Sequence, residues 1–174
     1  MIQGEKIRLR VVTPADLAFL DAWANDPQVN SEYGSFGLIP SGTIERSFAE
    51  NGLLSSQSGQ LLVVTPDDTP VGLVSYHQIG YGPNEGSNAY NIGISIVAEH
   101  RGKGYGVEAQ NLLADYLFST YPIMRIEAVT DKENIAEQRA LEKAGFTREG
   151  ILRQAQWRSG SWHDQVMYSK LRGE

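Results

Sequence analysis

The apolar positions of the chain alternate with polar ones in some segments and recur every three or four residues in others. Ile7, Leu9 and Val11 alternate, which predicts a first β-strand. Alternation or short apolar runs between turn residues predict further strands at residues 61–64, 71–78, 89–97, 125–130, 146–158 and 162–171. Most of these strands follow one another directly, so the pattern favours antiparallel hairpins.

Helical spacing marks four other segments. Thr13 suits an N-cap and Pro14 suits the first turn of a helix that ends just before Pro27. Apolar residues at helical spacing predict further helices at residues 43–50, 104–120 and 134–144, the last closed by Gly145. One strand–helix–strand unit lies among the hairpins and needs a right-handed parallel crossover. We therefore expect an α/β (α+β) fold with a mixed, largely antiparallel twisted sheet.

The composition is that of a globular chain without thiol chemistry. The 174 residues suit one domain, and 41% of them are hydrophobic and 21% charged. No cysteine is present, which excludes disulfides, a thiol nucleophile and iron–sulfur ligation. His77, His100 and His163 are widely separated along the chain, and no spacing suggests a metal site. We therefore expect no metal.

The charge balance and the hydropathy limit the partners. Against 21 Asp and Glu there are 15 Lys and Arg, and the net charge of −6 disfavours a general binder of nucleic acid or anionic membranes. The first residues lack the basic start and apolar run of a signal peptide. No stretch reaches the roughly 20 apolar residues of a membrane helix. We therefore expect a cytoplasmic protein without nucleic-acid or membrane partners.

The most informative segment is a glycine-rich turn between a predicted strand and a predicted helix. It reads Arg101-Gly102-Lys103-Gly104-Tyr105-Gly106. Alternating glycines let consecutive backbone N–H groups point into one concavity, and the helix start adds free N–H groups and a positive dipole end. This favours binding of a phosphate or pyrophosphate, the alternative being a tight turn that binds nothing. Neither a Walker loop nor a dinucleotide-binding loop fits, because Val107 stands where the latter needs its third glycine.

Residues 101–106 match the Arg/Gln-x-x-Gly-x-Gly/Ala motif of the GNAT superfamily of acyl-CoA-dependent N-acyltransferases. Residues 133–146 resemble the second motif of that family, in which an asparagine, here Asn134, opens a helix that ends in Lys-x-Gly-Phe. Residues 8–17 and 148–168 resemble the ribosomal-protein-alanine (RimJ/RimL-like) branch. The resemblance implies one N-acetyltransferase domain over residues 1–174 with the GNAT fold: helices on both faces of the sheet and a splayed central strand pair.

The resemblance also implies acetyl-CoA as the co-substrate and a set of residues that hold it. Backbone N–H groups would cradle its pyrophosphate at Arg101, Gly102, Lys103, Gly104, Tyr105 and Gly106. Ile96 and Val97 would pair with the pantetheine arm through their backbone, and Asn134 would hold that arm from the other side. Asn134 is equally suited to cap the helix that it opens, and the two roles are compatible.

The reaction implied is direct attack of an amine on the thioester, which needs a deprotonated amine and a stabilised oxyanion. A backbone N–H near Val97 is expected to bind the oxyanion. Many family members protonate the thiolate with a tyrosine seven residues after the motif asparagine, where this chain has Leu141. The ribosomal-protein branch often has a serine three residues after it, where this chain has Glu137. Glu137 would donate a proton only if burial raised its pKa; otherwise it is a solvated first-turn glutamate.

The general base and the amine-binding residues are less well defined by the sequence. His77, late on its strand, has the side chain for a proton relay at neutral pH, or is only a hydrogen-bonded strand residue. His163 is a second candidate. The connection 26–40 contains Tyr33 and Phe36, which either bind the amine or belong to an ordinary exposed loop.

Together these features favour an enzyme that transfers an acetyl group from acetyl-CoA to a primary amine by direct attack in a ternary complex. The amine is a protein N-terminus or a small molecule, and fold-level similarity does not choose between them. Two alternatives are a non-catalytic acyl-CoA-binding sensor or scaffold, and a protein that binds nucleotide phosphates with the same turn. The sequence allows a homodimer through the last strands without deciding it.

Overall fold

A computed structural model describes residues 1–174. Its strands are β1 (Ile2–Gln3), β2 (Arg8–Val11), β3 (Ser58–Val64), β4 (Pro70–Gly80), β5 (Asn88–Ile96), β6 (Arg125–Asp131), β7 (Thr147–Arg158) and β8 (Ser161–Leu171). Its helices are α1 (Leu17–Trp23), α2 (Pro27–Asn30), α3 (Thr43–Asn51), α4 (Tyr105–Thr120) and α5 (Ile135–Lys143). None of the helices is both long enough and apolar enough to cross a membrane.

All eight strands form one sheet, in the order β1-β2-β3-β4-β5-β6-β8-β7. Neighbouring strands are antiparallel, with the exception of β5 and β6, which are parallel and joined through α4. The largely antiparallel sheet with one strand–helix–strand crossover is therefore confirmed. The parallel pair lies inside the sheet, between β4 and β8.

The sheet separates two apolar clusters. Leu61 and Val63 of β3 belong to the larger cluster, and Leu62 and Val64 to the smaller one, because successive side chains of a strand point to opposite faces. Residues of α4 and α5 complete the larger cluster, whereas residues of α1 and α3 complete the smaller one. Helices therefore cover both faces of the sheet, as expected.

An ion pair fixes the start of α1 against β2. The Arg10 guanidinium donates to both carboxylate oxygens of Asp16, at 2.7 and 3.0 Å, and the Thr13 N–H donates to the same carboxylate at 2.7 Å. The hydrogen bonds from Arg10 lower the pKa of Asp16 to about 2, against the opposing effect of burial. Thr13 thus precedes a short 3-10 turn (Pro14–Asp16), and the α-helix itself begins at Leu17 rather than at Pro14.

Pro27 does more than follow the end of α1. It is the first residue of α2, and the Asp26 carboxylate caps this short helix by accepting the N–H of Gln28 at 2.8 Å. Proline suits a first helical position because the N–H that it lacks has no partner within the helix. The sequence prediction missed α2, since four residues carry too little apolar periodicity to be recognised.

Candidate active site

β5 and β6 separate just beyond their parallel pairing. The last paired residues are Ile92 and Ala128, yet β4 stays paired with β5 as far as Ile96, and β8 stays paired with β6 as far as Asp131. Each wall of the gap is therefore held in place by its outer neighbour. The splayed central pair expected from the sequence is present.

Backbone N–H groups of β5 point into this gap. The N–H of Val97 donates to the carbonyl of Val71 on the β4 side at 3.0 Å. Because N–H directions alternate along a strand, those of Ile94 and Ile96 point towards the gap and have no partner on β6. Because the N–H of Val97 is already bonded to β4, the N–H groups that can donate to a carbonyl oxygen in the gap are those of Ile94 and Ile96.

The glycine-rich turn at the start of α4 offers a continuous set of free donors. The N–H groups of residues 102–107 donate to no protein acceptor. Gly102 and Gly104 have φ angles of +77° and +85°, which side chains rarely adopt and which turn the donors to one side. A Cβ on Gly102 would meet no atom within 4 Å, so open space lies in front of the turn. The turn therefore fits a diphosphate group.

Lys6 adds a positive charge that the sequence prediction missed. Its Nζ lies 3.3 Å from the position that a Cβ on Gly104 would take, directly over the turn. Glu108, in the first turn of α4, accepts the N–H of Lys6 at 3.0 Å and so holds the N-terminal segment there. Lys6 precedes Glu108 by 102 residues, and no local motif could connect them.

Arg101, the first residue of the turn motif, is already engaged. Its N–H donates to the carbonyl of Ala98 at 3.2 Å. Its guanidinium donates to the carbonyls of Ile96 at 2.8 Å and of Gln28 at 3.0 Å. The expectation that the Arg101 N–H joins the anion-binding set is therefore wrong. The side chain instead ties the end of β5 to α2.

Asn134 caps α5 beside the gap. Its Oδ1 accepts the N–H of Glu137 at 3.3 Å, and its Nδ2 donates to Thr130 Oγ1 at 3.1 Å. The N-cap role is therefore present. The residue stands between the end of β6 and the first turn of α5, a position compatible with the second role expected for it.

Glu137 is not the solvated first-turn glutamate that the sequence allowed. Its side chain is mostly buried and accepts a hydrogen bond from Gln110 Nε2 at 2.7 Å. Burial raises the pKa of Glu137 to about 7, against the opposing effect of the Gln110 hydrogen bond. Gln110 is 2% exposed, and its Oε1 has no hydrogen-bond donor. A protonated Glu137 carboxyl can therefore supply the donor that this oxygen lacks, whereas Leu141 is fully buried and apolar.

The three histidines lie in different places. His77 is exposed on β4 opposite Asn91, on the sheet face that α1 and α3 cover. His100 lies beside the glycine-rich turn, with its Nδ1 3.4 Å from Lys103 Nζ. The Nδ1 of His163 lies 3.4 Å from the Asp131 carboxylate, at the end of β6. The structure therefore places only His163 beside the end of β6, at the open end of the gap, which we call its mouth.

Tyr33 spans the mouth of the gap. Its hydroxyl donates to the carbonyl of Glu133, just before α5, at 3.3 Å, and its ring packs under the Arg158 guanidinium at 5.4 Å. Arg158 in turn pairs with the buried Asp131. Phe36, from the same connection, is 62% exposed. Of the two aromatic residues expected to bind the amine, Tyr33 is the one that the fold places at the mouth.

The family model of the acetyltransferase (GNAT) domain matches residues 6–147, most of the chain. The chain belongs to the GNAT family of acetyl-CoA-dependent N-acetyltransferases. The co-substrate expected from the turn motif is thus confirmed at the level of the family. The GNAT domain match includes both the turn at residues 101–106 and the helix that Asn134 caps.

Two curated relatives from Bacillus subtilis (strain 168) are named as N-acetyltransferases. The probable N-acetyltransferase YjcK is 41% identical over 105 residues, which are 60% of this chain and 56% of that protein. The match thus spans a little over half the length of YjcK. The uncharacterized N-acetyltransferase YoaA is 27% identical over 175 residues, covering 97% of this chain and 95% of that protein.

Solved structures share the GNAT fold along the whole chain. A spermidine N-acetyltransferase from Vibrio cholerae, in complex with CoA and spermine, has a TM-score of 0.82 at 22% identity and covers 97% of this chain and 96% of its own. The ribosomal-protein-S5-alanine acetyltransferase from Vibrio fischeri has a TM-score of 0.79 at 22% identity, with coverages of 99% and 96%. The expected ribosomal-protein branch is thus among the chains with this architecture.

Proposed function

We propose that this protein acetylates a primary amine by direct attack of the amine on acetyl-CoA in a ternary complex. The observation that carries the proposal is the continuous run of free N–H groups at residues 102–107, next to the opened end of β5. The run suits a diphosphate and the opening suits an extended arm with a thioester at its end. One domain, residues 1–174, supplies both.

The co-substrate is held by backbone groups on two sides. Gly102, Lys103, Gly104, Tyr105 and Gly106 bind the pyrophosphate, and Lys6 adds its charge. Ile96 contributes its N–H to the arm, and Val97 shapes the end of the gap. Asn134 lies across the gap from them. The N–H of Ile94 or Ile96 stabilises the oxyanion, because that of Val97 is bonded to β4.

Glu137 is the proposed proton donor. The amine nitrogen forms a bond to the acetyl carbon, the carbon–sulfur bond breaks, and the thiolate takes the proton of the Glu137 carboxyl. Burial keeps that proton in place near neutral pH. The proton lost by the amine passes to water or to His163, the histidine that the fold brings to the mouth of the gap, since His77 lies farther along β4. Tyr33, and the more exposed Phe36, are the proposed amine contacts.

The test is release of CoA from acetyl-CoA, followed with a thiol reagent, across polyamines, amino acids, aminoglycosides and peptides with free N-termini. The protein has no cysteine and adds no thiol signal. We expect turnover with at least one amine. CoA binding without turnover of any amine would contradict an enzyme and support the acyl-CoA sensor.

A variant tests the turn itself. Gly104→Val adds a side chain at a φ of +85° and against Lys6 Nζ, so we expect the Kd for CoA to rise at least about tenfold. Gly150→Val is the matched control, because a Cβ there meets no atom within 4 Å and its φ is not positive. Stabilisation of the protein by ATP but not by CoA would assign the turn to nucleotide phosphates instead. A cytoplasmic location and a homodimer through β7 and β8 remain predictions.

A further inference from the structure

A cavity of about 190 Å³ opens on the sheet face covered by α1, α2 and α3. Its floor includes Gly93 and Ser95, the stretch of β5 that has no partner on β6. Eight of its thirteen lining residues are hydrophobic, among them Leu20, Trp23 and Ile44. The space beside the unpaired stretch of β5 is therefore mostly apolar.

A second cavity, of about 300 Å³, adjoins the first on the same face. The polar residues Gln60 and Ser75 line both cavities. Glu50 and His77 line the second cavity, in which only two of ten lining residues are hydrophobic. We call these two adjoining cavities together the groove; its part next to the gap is apolar and its far part is polar.

The charges on this face do not suit a polycation. Glu50 is the only carboxylate that lines either cavity. The register places Glu127 and Asp131 on the same face, but both are buried and already paired, Glu127 with Arg125 and Asp131 with Arg158. A ligand with three or more ammonium groups would therefore find one unpaired carboxylate along the groove, and each unmatched charge would be desolvated at a cost.

From this groove we infer the class of amine, an inference that rests on the proposed function. The acceptor is a primary amine next to an aromatic or branched aliphatic group, with a polar or singly charged end that reaches Glu50 and His77. The apolar cavity exceeds the roughly 150 Å³ that accommodates benzene in an engineered apolar site, so a ring fits. This chemistry occurs in arylalkylamines and in peptides whose first residue is apolar.

The experiment compares acceptors in the thiol-release reaction. 2-Phenylethylamine and a peptide amide that begins with Phe are the two apolar acceptors, ethylamine lacks the ring, and spermidine and kanamycin are the polycations. We expect kcat/KM for the better apolar acceptor to exceed that for ethylamine and for both polycations at least about tenfold, because burial of a ring favours binding. Which of the two apolar acceptors is preferred distinguishes a small amine from a protein N-terminus.

A matched pair of variants tests whether the preference for an apolar acceptor depends on the apolar cavity. Ala24→Leu fills space in the apolar cavity, so we expect the KM for the apolar acceptor to rise about tenfold while that for ethylamine and the Kd for CoA stay unchanged. Ala22→Leu makes the same substitution at an exposed position of α1 that lines neither cavity. We expect wild-type kinetics from it.

Different results would overturn the inferred class of amine and the proposed acetyltransferase function. Faster turnover of spermidine or kanamycin would overturn the inference and leave the proposed function standing. If no amine is turned over, the proposed function fails, and titration calorimetry of N-acetyl-2-phenylethylamine into the CoA-saturated protein decides the inference. Binding that Ala24→Leu weakens and Ala22→Leu does not would support the apolar groove. Absence of binding, or equal binding to both variants, would overturn it.

Discussion

At the scale of single residues, Glu137 shows how the fold changes the chemistry of a side chain. A glutamate in the first turn of a helix is normally ionised and stabilised by the helix dipole. Here burial raises its pKa to about 7, against the opposing effect of the hydrogen bond from Gln110, so a proton is available at neutral pH. Leu141 stands where the resemblance places a tyrosine in many family members, so Glu137 is the donor that we propose for the leaving thiolate.

The pH dependence of turnover tests this role. We expect kcat at saturating amine to fall as the pH rises above about 7, because the Glu137 carboxyl then loses its proton. Glu137→Gln should lower kcat at pH 6.5 at least about tenfold and abolish the alkaline fall. Glu133→Gln, the same substitution at an exposed residue, is the control. Superimposable pH profiles of Glu137→Gln and the wild type would exclude Glu137 as the donor.

A second prediction at the residue scale concerns the contribution of Lys6 to CoA binding. Its ammonium group over the glycine-rich turn should attract a diphosphate, with the modest strength of an exposed ion pair. We expect Lys6→Ala to raise the Kd for CoA about threefold in titration calorimetry at low ionic strength, and less at high salt, where exposed charges are screened. Lys143→Ala, at the far end of α5, should have no effect. An unchanged Kd in Lys6→Ala would remove Lys6 from the site.

At the scale of elements, the sequence predicts those helices and strands whose boundaries are set by local apolar periodicity and by capping residues. The boundaries of α4 and β6 agree with the apolar spacing to within a residue, and Asn134 caps α5 as its side chain suggested. The sequence did not predict α2, because this helix is too short to show apolar periodicity. The burial of Glu137 and the position of Lys6 also escaped it, because both depend on contacts between segments far apart in the chain.

The ion pair between Arg10 and Asp16 makes the stability of one element depend on pH. The pKa of Asp16 is about 2 in the folded protein and about 3.8 in the unfolded chain, so the pair stabilises the fold above pH 5 and loses this contribution as the pH falls towards 2. We expect Asp16→Asn to lower the free energy of unfolding by about 2 kcal/mol at pH 7 in urea titrations. The difference should shrink as the pH falls towards 2.

The exposed Asp115 of α4 provides the control for this pair. Asp115→Asn removes the same charge from a side chain with no ion-pair partner, so its stability should match that of the wild type at both ends of the pH range. An Asp16→Asn effect that is equally large at pH 2 and pH 7 would show that packing, rather than the ionised pair, stabilises the start of α1.

At the scale of the whole molecule, the opened parallel pair brings two binding surfaces together. The glycine-rich turn and Lys6 lie at one side of the gap, and the groove floored by Gly93 lies on the sheet face covered by α1, α2 and α3. Arg101 joins them, since it bonds to the end of β5 and to α2. The co-substrate and the amine can therefore meet at β5 from different directions, as direct transfer requires.

The most direct test is a crystal structure of the protein with CoA and 2-phenylethylamine. We expect the pyrophosphate within hydrogen-bonding distance of the N–H groups of residues 102–107, and the thiol between β5 and β6 beyond Ile92. We also expect the phenyl ring in the cavity beside Gly93, with its amine directed at the thiol. A CoA molecule bound away from the opened end of β5 would show that this end of the strand is not the co-substrate site.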